Sequence, residues 1–362
     1  MKTLAVDADF PGGNIVVDRT SGDTVALHQD PRDTPIWWFY WCFRIRNAAG
    51  RKVRFRFING DVFGGAGPCM SAGAGRWRWL GRHVVEDSGF AFAFPPTLDS
   101  ARFSFCVPYV ETDLMKFLAA HRRIERSTLV RSEGGRSVEH LWLRSRRSRF
   151  KVLLTARHHA CEGMASYVLE GVLSFWAGRS PEAAFLRENV DFHAIPFMDK
   201  DGVETGDQGK ARAPHDHNRD YSDSPIYAST RALMARFGEW PGDPLLMADL
   251  HCPWIRGGMN DDIHIVEPQR VDKPAMQAFL AALVKGQRGP LLYYPKNYLA
   301  FGVDWNVDTA TSAAFFTEAT GVRLAFTLEF PYAVAAENPV TVTGARAFGA
   351  DLSRAIAVFL CM

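Results

Sequence analysis

Through the first hundred positions apolar and polar residues alternate with a period of two, and beyond about residue 110 the spacing lengthens. IVVD at 15–18, the aromatic run IWWFYWCFRIR at 36–46, VRFRFING at 53–60, RWRWL at 76–80, FAFAF at 90–94 and RFSFCV at 102–107 are broken by glycine and proline. Short strands at this spacing predict an antiparallel β-sandwich. ETDLMKFLAAHRR at 111–123 then has helical spacing. After it, the strand-like runs KVLLTA, VDFHAIPFM, PLLMADLHC and VRLAFTLEF alternate with helices predicted at 163–177, 224–238, 273–285, 309–319 and 343–360. Such alternation predicts an α/β fold with a mixed sheet flanked by helices, in which ligands bind beyond the carboxyl ends of strands.

A chain of 362 residues exceeds the usual size of one hydrophobic core, so two domains are expected, 1–110 and 111–362. Apolar residues at 47% and charged residues at 23% exclude a disordered or fibrous chain. The net charge of +2 carries no electrostatic footprint for nucleic acid, and the basic run RSRRSRFK at 144–151 reads as a solvated face. No apolar run approaches the ~20 residues that span a bilayer, so no membrane partner is expected. The first residues carry Asp7 and Asp9 where a signal core would be apolar, and the six cysteines are scattered without a C-x-x-C pair. A reduced, cytoplasmic compartment is expected.

The candidate chemistry lies in TARHHACEGMASYVLEGVL at 155–172, which sets His158, His159 and Glu162 where an apolar strand yields to a helix. The spacing H-x-x-E occurs three times. His83 and Glu86 fall in the strand-rich region, on opposite faces of a strand, and His264 and Glu267 lie in an extended stretch ending at Pro268. Only His159 and Glu162 stand where residues three apart converge. A competing structural reading makes Glu162 a dipole-complementing helix start and His159 a satisfied core histidine. His251, ending the apolar run ADLH, supplies a third donor, and two histidines with one carboxylate form the open ligand set of a catalytic zinc. Cys161 and Cys252, beside these residues, would close the site as a structural one if they served as ligands.

HHACEG, FHAIPFMDKDGVETGDQGKARAPHDHNRDYS at 192–222, ADLHC and FTLEFPY at 326–332 together resemble the zinc carboxypeptidases, in particular the cytosolic carboxypeptidase branch. DFPGGN at 9–14 and WFYWCFRIRNAAGRKVRFRFIN at 38–59 extend the resemblance to an N-terminal β-sandwich ahead of a catalytic domain. The resemblance implies one zinc per chain, held by His159, Glu162 and His251, and a peptide or protein C-terminus as substrate. It implies Glu329 as general base, Asn218 and Arg219 as the clamp on the substrate's terminal carboxylate, and Asp216 as the carboxylate behind a ligand imidazole, that of His159. His215 and His217 read as supporting polar residues.

Two features depart from the family pattern. The arginine that stabilises the oxyanion, nine residues before the asparagine, is replaced by Gly209, so Lys210 is the expected substitute cation and Arg212 a further substrate-binding candidate. No tyrosine lies between Tyr298 and Glu329, and VDWNV at 303–307 occupies the zone of the family's tyrosine. The leading expectation is a metallo-carboxypeptidase releasing a C-terminal or side-chain-linked amino acid. The alternatives are an N-acyl amino acid deacylase with the same metal logic and a non-catalytic module that binds carboxylate ends.

Overall fold

The computed structural model describes residues 2–34, 37–73 and 76–361; Met1 and Ile36, which belong to the N-terminal stretch and the aromatic run, and Met362 lie outside the described residues. Two five-stranded sheets occupy the N-terminal part. One runs Ala5–Asp7, Cys42–Arg46, Ala101–Ser104, Cys69–Ser71, Arg78–Trp79, antiparallel throughout. The other runs Val16–Ser21, Thr24–His28, Lys52–Phe57, Gly89–Ala93, Val85–Glu86. The alternation is clearest in Lys52–Phe57, where Val53, Phe55 and Phe57 are buried and Lys52, Arg54 and Arg56 exposed. Phe43 and Phe103 of the first sheet meet Phe55 of the second at ring-centroid distances of 5.1 and 5.3 Å, so aromatic packing joins the layers.

Two expectations are corrected. Thr24–His28 and Lys52–Phe57 pair in parallel, so the second sheet is mixed rather than wholly antiparallel. The aromatic run becomes a strand only at Cys42. Before it, the N–H groups of Phe39 and Tyr40 donate to Gln208 Oε1 at 2.8 and 3.2 Å, so this segment braces a loop of the C-terminal part instead of a sheet.

The C-terminal part is built on an eight-stranded mixed sheet in the order Glu125–Arg131, Ser137–Leu143, Val190–Ile195, Phe150–Ala156, Asp243–His251, Leu324–Glu329, His264–Val266, Tyr298–Leu299. Phe150–Ala156, Asp243–His251 and Leu324–Glu329 are consecutive and parallel, so their carboxyl ends share one edge. The helices Gly163–Ala177, Ala228–Arg236, Lys273–Gly286, Ser312–Ala319 and Val342–Leu360 stand where the apolar spacing predicts them. Pro181–Asn189 and Lys200–Thr205 were not anticipated, because neither shows a continuous apolar stripe; each is started by a side-chain cap, Ser180 and Asp199.

Gly163–Ala177 is buried along most of its length between the sheet and Val342–Leu360. The two helices approach so closely that a Cβ on Gly171 would stand 2.1 Å from Arg346 O, and one on Gly349 2.1 Å from Val168 O. Glycine at both crossings lets the helix that follows Glu162 seat firmly.

Candidate metal centre

The chain leaves strand Phe150–Ala156 through Arg157, a non-glycine residue at φ +62°. Its guanidinium folds back to donate to Ala160 O and Tyr109 O, and these bonds hold the strained turn. The turn delivers His159 and then Glu162, the residue preceding helix Gly163–Ala177. Glu162 makes no capping bond to that helix; its fully buried carboxylate turns toward the sheet edge instead. The dipole-complementing reading of this residue is thereby replaced.

His251 ends the next strand, and its register partner on the third is Glu329. Nδ1 of His159 stands 2.8 Å from Glu162 Oε1 and 3.2 Å from Nδ1 of His251, which in turn lies 3.0 Å from Glu162 Oε2. The far ring nitrogens face carboxylates: Nε2 of His251 is 2.7 Å from Asp249 Oδ2, and Nε2 of His159 is 3.5 Å from Asp216 Oδ1, an arrangement that favours protons on the sides away from the centre. The Nδ1 atoms of both imidazoles thus converge on the buried Glu162 carboxylate, one at each of its oxygens. Ligands of a tetrahedral ion with bonds of ~2.0–2.1 Å are separated by about 3.3 Å, a little more than the 2.8–3.2 Å between these donors. The residues therefore fit a divalent ion.

Among the described residues, the groups able to hold a metal are His159, Glu162, His251 and a second set, His158, Asp249, His251, and neither contains a cysteine. Burial pushes the Cys161 thiol up to about 12 and holds Cys252 well above its ordinary value, which opposes thiolate ligation.

Asn218, Arg219, Glu329 and the two histidines line one cleft with Trp305. Glu329 is 7% exposed, and its Oε2 is without a partner. Asp216 caps the short turn His217–Arg219 by accepting from Asn218 N at 2.9 Å. Asn218 Oδ1 accepts from Ser312 N at 3.0 Å, and Arg219 Nε donates to Asp308 Oδ2 at 2.8 Å. That single bond leaves the outer edge of the guanidinium for a second carboxylate.

The positions of the two expected cations are corrected. Lys210 Nζ donates to Glu162 Oε1 and to Cys252 O at 2.8 Å, behind the converging donors rather than in the cleft lining. Burial works against charge on this lysine, but the Glu162 carboxylate beside it outweighs burial and holds its pKa above the ordinary value. Arg212 is enclosed by Asp33, Asp199 and Asp207 at 3.1, 2.7 and 3.1 Å, which occupy the fork a substrate would need. Gly209, at φ +81°, explains the missing arginine: a Cβ there would stand 2.4 Å from Ala160 N. Of the supporting residues, His215 Nε2 pairs with Asp220 and His217 stacks on Tyr227 at 3.7 Å. Tyr298 hydrogen-bonds Glu267, a residue of the cleft wall.

Sequence reasoning missed Asp249. It lies two residues before His251, on the same face of the strand, and that period-two relation in ADLH was a readable signal.

Solved structures share this architecture. A metallo-carboxypeptidase from Burkholderia cenocepacia matches with a TM-score of 0.82 at 20% identity over 99% of each chain. One from Pseudomonas aeruginosa, in complex with (2-guanidinoethylmercapto)succinic acid, matches at 0.79 and 22% over 99% of each. The fold is that of the metallo-carboxypeptidases. In sequence, cytosolic carboxypeptidase 2 of Danio rerio is 30% identical over 264 residues, 60% of this chain and 36% of the relative. Cytosolic carboxypeptidase 6 of Caenorhabditis elegans is 26% identical over 294 residues, 68% of this chain and 62% of the relative. The chain thus spans about a third of the first of these relatives and somewhat under two thirds of the second. No protein-family model matches it. With relatives by sequence among the cytosolic carboxypeptidases and neighbours by structure among the metallo-carboxypeptidases, the resemblance to the cytosolic-like branch of the zinc carboxypeptidase family stands.

Proposed function

We propose that the protein is a zinc-dependent carboxypeptidase that hydrolyses the bond to a C-terminal or side-chain-linked amino acid of a peptide. The observation that carries this reading is the convergence of His159, Glu162 and His251 beside a cleft that also holds Glu329, Asn218 and Arg219. His159, Glu162 through Oε2, and His251 are the residues that would hold the ion. Bound there, zinc lowers the pKa of water to about 7 and polarises the carbonyl to be attacked.

The chain's own residues supply the rest. Arg219 and Asn218 bind and orient the terminal carboxylate, Arg219 through the guanidinium edge that Asp308 leaves free. The unpartnered Oε2 of Glu329 accepts the proton of the attacking water and returns it to the departing amine. Lys210 acts indirectly: it anchors Glu162 through Oε1, the oxygen that also meets His159, and leaves Oε2 facing His251. Asp216 supports the orientation of His159.

Residues 1–110 form the sandwich domain and 111–362 the catalytic domain in this reading. A reducing, cytoplasmic setting accords with six cysteines that are all free thiols and with relatives named cytosolic. The test is metal quantification on the purified chain combined with a screen of peptides varied at the C-terminus. One zinc per chain and release of a terminal residue are expected. Release from small acyl amino acids alone would favour the deacylase, and zinc binding without any hydrolysis would favour a binding module.

A further inference from the structure

The carboxylate of Asp249 has no spare capacity. Oδ1 accepts from Thr155 Oγ1 at 2.7 Å and from His158 Nδ1 at 2.8 Å; Oδ2 accepts from His251 Nε2 at 2.7 Å and from Ser312 Oγ at 2.6 Å. Four donors fill the four lone-pair positions of an ionised carboxylate, so the set His158, Asp249, His251 has no oxygen left for a second ion. His158 is locked in its turn, for its Nε2 accepts from Tyr221 Oη at 2.8 Å. Asp249, His158 and Ser312 are each 0% exposed.

Ser312 is the unusual member, because it has two partners on two parts of the site. Its hydroxyl donates to Asp249, which orients His251, while its main-chain N–H donates to Oδ1 of Asn218 in the clamp. The donor set for the metal and the grip on the substrate carboxylate are therefore joined through this buried residue at the start of helix Ser312–Ala319, beside a direct approach of Asn218 Nδ2 to His251 Nε2 at 3.4 Å. We infer that Asp249 and Ser312 are positioning residues that couple metal binding at His251 to carboxylate binding at Asn218. Filling the metal site fixes the His251 ring, the ring fixes Asp249, and Ser312 passes that order to Asn218. This inference rests on the metal reading above.

The experiment uses the full chain and two variants, Asp249→Asn and Ser312→Ala. Zinc affinity is read by chelator competition, ring geometry by the visible spectrum of the cobalt-substituted protein, and the clamp by binding of (2-guanidinoethylmercapto)succinic acid with and without zinc. Asp249→Asn sets an amide N–H against existing donors and is expected to weaken zinc 10–100-fold and to shift the cobalt bands. Ser312→Ala keeps the main-chain bond to Asn218 and removes only the hydroxyl. It is expected to shrink the factor by which zinc tightens the dicarboxylate at least threefold, with zinc itself weakened up to about tenfold. An unchanged zinc-dependent factor in Ser312→Ala overturns the coupling, as does an unchanged cobalt spectrum in Asp249→Asn. Should Asp249→Asn fail to fold, Ser312→Ala alone decides. Failure of the parent chain to bind zinc instead removes the metal reading itself, a separate result.

Discussion

Lys210 and Arg212 stand two residues apart on one loop, yet they complete two charge clusters of opposite character. Arg212 sits among Asp33, Asp199 and Asp207, and its donors are spent on them. Around Lys210 polar groups are left crowded or open: Glu329 Oε2 is buried without a partner, and the Nδ1 atoms of His159 and His251 meet on one buried carboxylate, 3.2 Å from each other. Buried polar atoms are expensive to leave unpaired, so a region that keeps several of them together is holding them for something to bind. Burial alone does not separate a binding site from a structural cluster. Asp207 Oδ1 in the Arg212 cluster also lacks a hydrogen bond, so the distinction is in whether several donors of metal-ligand type converge on one point, as His159, Glu162 and His251 do.

The sharpest way to break this contrast is at the open cluster. Glu329→Gln preserves shape and removes the proton acceptor; hydrolysis is expected to fall by about 10²–10⁴ while zinc content stays at one per chain. Full turnover in that variant would take Glu329 out of the mechanism. At the closed cluster the largest effect should be on folding. Arg212→Ala strands three carboxylates and is expected to destabilise the chain by about 3–5 kcal/mol in urea titration. If stability is unchanged and substrate affinity falls instead, Arg212 is a substrate residue after all.

Arg219→Ala tests the clamp. Loss of a charge-assisted hydrogen bond of about 1.5–3 kcal/mol predicts a rise in KM of roughly 10- to 150-fold with little change in melting temperature. The smallest effect concerns pH. Burial, reinforced by Asp33 and opposed by Arg212, pushes the Asp207 carboxyl up to about 6. Its folded-state pKa lies above the unfolded value, so the folded chain holds this proton more tightly and loses stability as pH rises from about 4 to about 6. Asp207→Asn should flatten that part of the slope and stabilise the chain at pH 7 by about 1–2 kcal/mol. An unaltered slope would show that the cluster titrates elsewhere.

How far these residues were legible depended on how local their signal is. His159 and Glu162 were readable because an apolar strand, an H-x-x-E spacing and a helical run are contiguous in the chain. His251 and Glu329 were readable as polar residues ending apolar strands, and the parallel register of those strands sets them side by side. The roles of Lys210 and Arg212 were not: two cations on one loop look alike in sequence. The difference came from Asp33, about 180 positions earlier, and from Glu162 on another element. The aromatic run at 36–46 misled for a related reason, since its alternation says strand but Gln208 takes its main-chain N–H groups.

By itself the sequence determined the periodicities, and with them the change from short strands to alternating strands and helices near residue 110 and the chemical types present at three strand ends. Those are properties of neighbours in the chain, where side-chain direction follows from backbone period. Tertiary structure alone decided which donors were spent and which remained open. Hydrogen-bonding capacity is settled by whichever group arrives within about 3 Å, and for Asp249 those groups come from residues 155, 158, 251 and 312.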